Sequence, residues 1–210
     1  MGFYLLVAWL YRTFIVGART NNLGPFLAQV EFLLVLIVPV LTMRLLSDEL
    51  RTGSIDLLWV RGVTPVKLIL AKFSAAAVFV IGAVSLPVGL AAWFTARLTG
   101  PDGLDAGVLT AQVIGVCLIG FVLVALGVAA SALSHNPLVT ALIAAVVGFF
   151  LWFIDAADLS AVWLQRMLGL RLHLAGFNVG ELRLNDLWFF FSLVVVFLSA
   201  GVLALKFHRS

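Results

Sequence analysis

Residues 39–72 read PVLTMRLLSDELRTGSIDLLWVRGVTPVKLILAK, a charged, helix-compatible island between two long apolar runs. Elsewhere charge is scarce: 63% of the 210 residues are hydrophobic and 11% are charged. A soluble domain carries about a quarter charged residues, so this chain has too little charge to coat a water-exposed globule. A hydrocarbon core about 30 Å thick takes about 20 apolar residues per helical span, and the chain supplies about six such runs. The expected fold is all-α: a polytopic membrane protein with about six transmembrane helices, one domain over residues 1–210. Barrel strands would appear as short alternating segments, and the sequence has none.

The spans are expected at about 2–18, 25–46, 67–95, 108–132, 137–155 and 187–206. Asn21, Asn22, Gly24 and Pro25 mark a turn after the first. Thr99, Gly100, Pro101, Asp102 and Gly103 make a loop by their turn chemistry. Ser134, His135 and Asn136 form a tight connection, and Pro137 suits the first turn of the next helix. The start, MGFYLLVAWLYRTF, lacks the basic leader and small-residue cleavage site of a signal peptide and reads as a span. With the loop after the second span in the cytoplasm, that side collects Arg44, Arg51, Arg61, Lys67, Lys72, Lys206 and Arg209. The other side holds Arg19, Arg97, Arg166, Arg171 and Arg183, with Asp102, Asp105, Asp158, Glu181 and Asp186. Lysine and arginine favour cytoplasmic loops, so both termini are expected in the cytoplasm.

The net charge of +3 makes no case for nucleic acid, because basic residues sit at the ends of apolar runs and do not cluster with aromatics. None of Lys67, Lys72 and Lys206 follows a glycine, so there is no P-loop. His135, His173 and His208 are far apart in sequence, and no metal-ligand spacing links them to the single cysteine, Cys117. No serine sits in a G-x-S-x-G elbow. The chain is therefore expected to have no catalytic residues, no metal and no cofactor of its own.

Ionisable groups near a bilayer are functional candidates by default. Arg12 lies in the first span, Glu31 in the outer part of the second, and Asp155 ends the fifth. Glu31, Asp155 and the intraspan Pro39 are the candidates for a gate or path. The competing reading sets Glu31 and Asp155 against headgroups or water at the outer interface, and gives Pro39 and Pro87 a role in static packing. Gly115, Gly120, Ala125, Gly127 and Ala129 present small residues that suit close helix packing. Between about 155 and 186, Leu159, Val162, Trp163, Met167, Leu168 and Leu170 recur at helical spacing. That pattern predicts an interfacial helix, either a gate or a closure for the outer end of the bundle.

The island at about 44–65 is longer than an antiparallel connection needs. Met43 to Arg51 extends the second span as a charged helix, Thr52-Gly53-Ser54 interrupts it, and Ser54 is placed to cap a short helix from Ile55 to Val60. Such an element either docks in a partner's groove or lies on the membrane surface.

The motif running from Pro39 through Leu58, then VTPVKLILAKF, closely resembles permeases of the type-2 ABC exporter family, most of all its gliding-motility-associated branch. That branch reads Pro-Leu-Leu-Thr-Met-Arg, an acidic pair, a basic residue, Gly-Thr and a Leu-Leu pair, then Pro and Gly-Lys-Phe. Asp48 and Glu49 stand for the acidic pair, Ser54 for the usual Thr, and Ala71 for the usual Gly. Ala130 to Asn136 resembles the family's turn between spans four and five, and Gly180 to Asp186 its approach to the last span. The resemblance implies a dimeric transmembrane subunit, homodimer or heterodimer with a second permease, in the cell inner (cytoplasmic) membrane. ATP and Mg would be bound by a separate ATP-binding cassette subunit. The family's coupling helix matches Asp48 to Leu58, which makes Arg44, Asp48, Glu49, Arg51, Thr52, Gly53, Ser54, Asp56, Leu57 and Leu58 the expected partner-coupling residues. Two rival functions remain: a secondary transporter or channel that needs no ATPase, and a non-transporting subunit of an envelope machine.

Overall fold

The computed structural model describes residues 2–13, 23–99, 105–155 and 162–209, and these form helices with no strand among them. In chain order they are α1 (Gly2–Tyr11), α2 (Gly24–Thr42), α3 (Ser47–Thr52), α4 (Ser54–Val60), α5 (Pro65–Thr99), α6 (Ala106–Leu133), α7 (Pro137–Phe153), α8 (Val162–Leu168), α9 (Leu170–Asn178) and α10 (Leu184–Arg209). Four stretches are long and apolar enough to cross a membrane: Gly24–Thr52, Pro65–Arg97, Ala106–Leu133 and Leu184–His208. The fifth expected span is the shorter apolar helix α7. The described part of the first is residues 2–13, of which Gly2–Tyr11 form α1, and its expected continuation over 14–18 lies outside the described residues. So do Arg19, Asn21, Asn22, Gly100 to Gly103, Asp158 and Leu159.

The bundle is built around α6. Protein covers 72% of its apolar window, against 33% for α5 and 17% for α10, so α6 is the core helix and α5 and α10 leave wide apolar faces. It packs on α2, α5, α7, α9 and α10. Close approach needs small residues where helices meet in lipid, and α6 supplies them. A Cβ at Gly127 would stand 1.9 Å from Thr42 Oγ1, and one at Gly115 would stand 2.9 Å from Phe177 Cβ. Gly201 of α10 lies over Ala129, with 3.3 Å from the position of its missing Cβ to Ala129 Cα.

Helix ends follow local chemistry. Asp105 Oδ1 accepts from the backbone N–H groups of Gly107 (2.8 Å) and Val108 (3.4 Å), which opens α6. Asn136 Oδ1 accepts from Leu138 N at 3.0 Å, with Pro137 in the first turn of α7 as its missing donor predicts.

Two local expectations change. Ser54 is not the cap of α4. The capping position falls on Gly53, and the Ser54 hydroxyl instead donates back to the Glu49 carbonyl at 3.4 Å. Gly53 takes this place because one residue there must close α3 and open α4 at φ 70°, a left-handed conformation that favours glycine. The outer segment expected as one helix is divided at Gly169, whose backbone is extended. A Cβ at Gly169 would stand 2.6 Å from Gln165 O, so the sharp break needs glycine. α8 keeps Trp163 and Met167 uncovered, whereas α9 buries Leu170, Leu174 and Phe177 in the bundle.

Candidate functional site

Two regions gather the polar side chains, one at each end of the bundle. The first is the elbow joining α2 to α5. Residues 43–46 turn out of α2, and Leu46, Leu50 and Ile55 anchor the underside of the elbow in the core. That anchoring turns the polar face outward. Arg44, Arg51, Thr52, Gly53, Asp56 and Leu57 are exposed, while Asp48, Glu49, Ser54 and Leu58 are half-buried. Arg51 lies 3.7 Å from Asp48 across one helical turn. Glu49 pairs with Lys72 in the second turn of α5, fastening the elbow to that helix. Beside the charges stands an uncovered apolar edge, Leu57 at 68% and Val60 at 87% exposure. The structure thus brings the ten expected coupling residues onto one compact, outward-facing element.

The second region is a pocket of about 330 Å³ at the opposite end. Three elements build it. α2 brings Glu31, the end of α7 brings Trp152 and Asp155, and α9 brings Arg171 and Asn178. Arg171, Leu174, Ala175 and Asn178 follow the three- and four-residue steps of one helix face. Glu31 is only 2% exposed, so protein encloses it. This corrects its expected place against headgroups or water. The Asn178 side chain lies against the Glu31 carboxyl, and Arg171 acts on it electrostatically. Arg171 Nε stands 3.9 Å from Asp155 Oδ2. Glu31 and Asp155 therefore meet, as a shared role requires. Pro39 does not join them: it is buried in α2, about two turns nearer the elbow.

Behind the pocket, Gln112 Nε2 donates to Asn178 O at 2.8 Å and fixes the end of α9 to α6. His173 Nδ1 meets Asp186 Oδ1 at 2.6 Å, its Nε2 meets Arg166 O at 2.9 Å, and its ring stacks on Phe189 at 3.8 Å. One side chain thereby ties α8, α9 and α10 together. Asn178 and Gln112 were absent from the sequence candidates. Their signal was faint: Gln112 is a single amide inside a long apolar helix, and Asn178 is a single amide in phase with Arg171.

Long apolar helices packed on a small-residue core, with a charged elbow at one end, define a multi-pass helical membrane protein. Residues 15–173 match the family model of the ABC-2 family transporter proteins, and the chain belongs to that family. It is a transmembrane permease of an ABC-type transporter. Members are transport subunits, not catalysts themselves, and typically work with an ATP-binding subunit. No curated protein and no solved structure matches the chain.

Proposed function

We propose that this chain is the transmembrane subunit of an ABC-type exporter, driven by separate ATP-binding cassette subunits that engage the elbow. The observation that carries this reading is the elbow itself, which presents charges and an apolar edge outward while its underside is locked into the core. An element of that build transmits force, because a push on it cannot be absorbed by a loose loop. The Glu49–Lys72 pair passes the displacement to α5, and the turn over 43–46 passes it to α2. For ATP to drive the change, the motor must contact the elbow differently in its two states.

In this proposal the permease works as a dimer, homodimeric or with a second permease, in the inner membrane. The elbow and both termini face the cytoplasm, and ATP and Mg stay in the partner. The wide uncovered faces of α5 and α10 suit lipid or a second permease. The Pro39–Lys72 motif supports the gliding-motility-associated branch.

Asp48→Lys with Glu49→Lys, and separately Leu57→Glu, should remove the ATP-binding subunit from a pull-down while the permease keeps its helical circular dichroism. Co-purification unchanged in both would count against the elbow. In a Cys117→Ser background, Arg61→Cys should resist a membrane-impermeant thiol reagent applied to intact cells. Labelling from outside would put the elbow beyond any cytosolic ATPase.

A further inference from the structure

The far-end pocket holds more acceptors than donors. Glu31 Oε1, Asp155 Oδ1 and Asn178 Oδ1 are each buried without a hydrogen-bond partner, and all three residues line the same cavity. Proteins leave few such atoms unpaired, and three in one cavity call for a shared explanation. The Asn178 side-chain amide lies against the Glu31 carboxyl but leaves Oε1 unpaired, and the other donors nearby do not cover the three oxygens. Arg171 is 49% exposed at its side chain and lies at 3.9 Å from the other oxygen of Asp155. The Gln112 amide is committed to the Asn178 main chain. Among the described residues lining the pocket, Arg171 is the one cationic side chain, so the unpaired acceptors outnumber the donors within reach.

We propose that this pocket binds a primary ammonium group. An R–NH3⁺ group carries three N–H donors, and three orphan acceptors line the cavity. Trp152 lines it too, and aromatic walls favour organic cations. A water occupies about 30 Å³ of liquid, so about 330 Å³ accommodates an ammonium with attached carbons. Leu172, Leu174 and Ala175 supply apolar wall for those carbons. Metal-ion chemistry fits less well: among the described residues no three His, Cys, Asp or Glu side chains form a cluster that could hold one. The ammonium can belong to a soluble amine or to the headgroup of an aminophospholipid. The site goes beyond the exporter reading and requires no ATP-binding partner.

The test uses the full chain in phosphatidylcholine nanodiscs, with ethylammonium as probe. Thermal unfolding and saturation-transfer NMR should show saturable binding. Glu31→Gln and Asp155→Asn should each weaken it at least tenfold. Glu181→Gln, which alters an exposed acid paired with Arg183, should leave it unchanged. Tetramethylammonium, which has no N–H, should not bind. Repeating the titration in phosphatidylethanolamine separates the two sources. A fall in ethylammonium affinity assigns the ammonium to the lipid headgroup, an unchanged affinity assigns it to soluble amines, and both support the pocket. The proposal is overturned by absence of saturable binding, by an equal response to tetramethylammonium or sodium, or by binding that survives both variants. Should Glu31→Gln fail to fold, Asp155→Asn alone decides. None of these outcomes bears on the elbow pull-down, so the two readings fail separately.

Discussion

At the elbow, Arg51 and Asp56 stand at the surface, and Asp48 is half-covered beside Arg51. At the far end, Glu31 and Asp155 are turned inward, each with a buried oxygen that no donor reaches. Surface charges can be re-paired at little energetic cost, which suits a contact that must differ between two motor states. Enclosed carboxyls carry a large desolvation penalty when ionised, so what fills the pocket governs whether it can hold two of them. Function at the elbow should therefore tolerate changes of fold stability, while function at the pocket should be bound up with it.

The largest expected effects come from α6, which seats both ends. Gly127 admits Thr42 just before the elbow, and Gly115 admits Phe177 beside the pocket. Gly127→Ala would drive a methyl to 1.9 Å from Thr42 Oγ1 and 2.6 Å from its Cβ, so Thr42 has to move bodily. Overpacking of this kind should cost about 3 kcal/mol. Gly115→Ala meets Phe177 at 2.9 Å and should cost about 1–2 kcal/mol. Thermal unfolding in detergent should rank Gly127→Ala below Gly115→Ala, and the reverse order would show the pocket end to be the more tightly packed one.

Asp186→Ala comes next. It strips His173 Nδ1 of its acceptor where α9 meets α10. Leaving that nitrogen unpaired should cost about 2 kcal/mol. Phe189→Leu, which keeps the hydrogen bond but loses the ring stacked on His173, should cost about 1 kcal/mol. If both variants unfold at the wild-type temperature, His173 is not what joins the outer helices.

How much of this could be read from the chain divides along the same line. The elbow was legible because it is local: Pro39 to Lys72 carries its acidic pair, its glycine and its interrupted helix within one continuous motif. The long helices were legible because runs such as Ala106–Leu133 are apolar throughout, and composition alone then dictates helix. The pocket was legible only in part. Glu31 and Asp155 drew notice as rare ionisable groups, but their meeting depends on α2 and α7 packing side by side, which no periodicity encodes. Asn178 joins them only because the segment breaks at Gly169 and α9 turns into the bundle. A single helix over that stretch fits the apolar spacing equally well, and the deciding clash with Gln165 O is a property of the folded backbone.

The smallest expected effect belongs to Glu49→Gln. The Glu49–Lys72 pair is the elbow's link to α5, with side chains 26% and 28% exposed. One Glu49 oxygen, Oε2, is buried and unpaired, which makes the residue the elbow's nearest analogue of the pocket acids. Yet its other oxygen already holds a cation, and the amide of the variant can still accept a hydrogen bond from Lys72. Loss of charge at a partly exposed pair should shift stability by less than about 1 kcal/mol. The variant should also keep its ATP-binding partner, because Asp48, Asp56 and Leu57 still face outward. A loss above about 3 kcal/mol would place Glu49 with Glu31 and Asp155 as an enclosed carboxyl. The contrast between a re-pairable elbow and a ligand-dependent pocket would then fail at its first point.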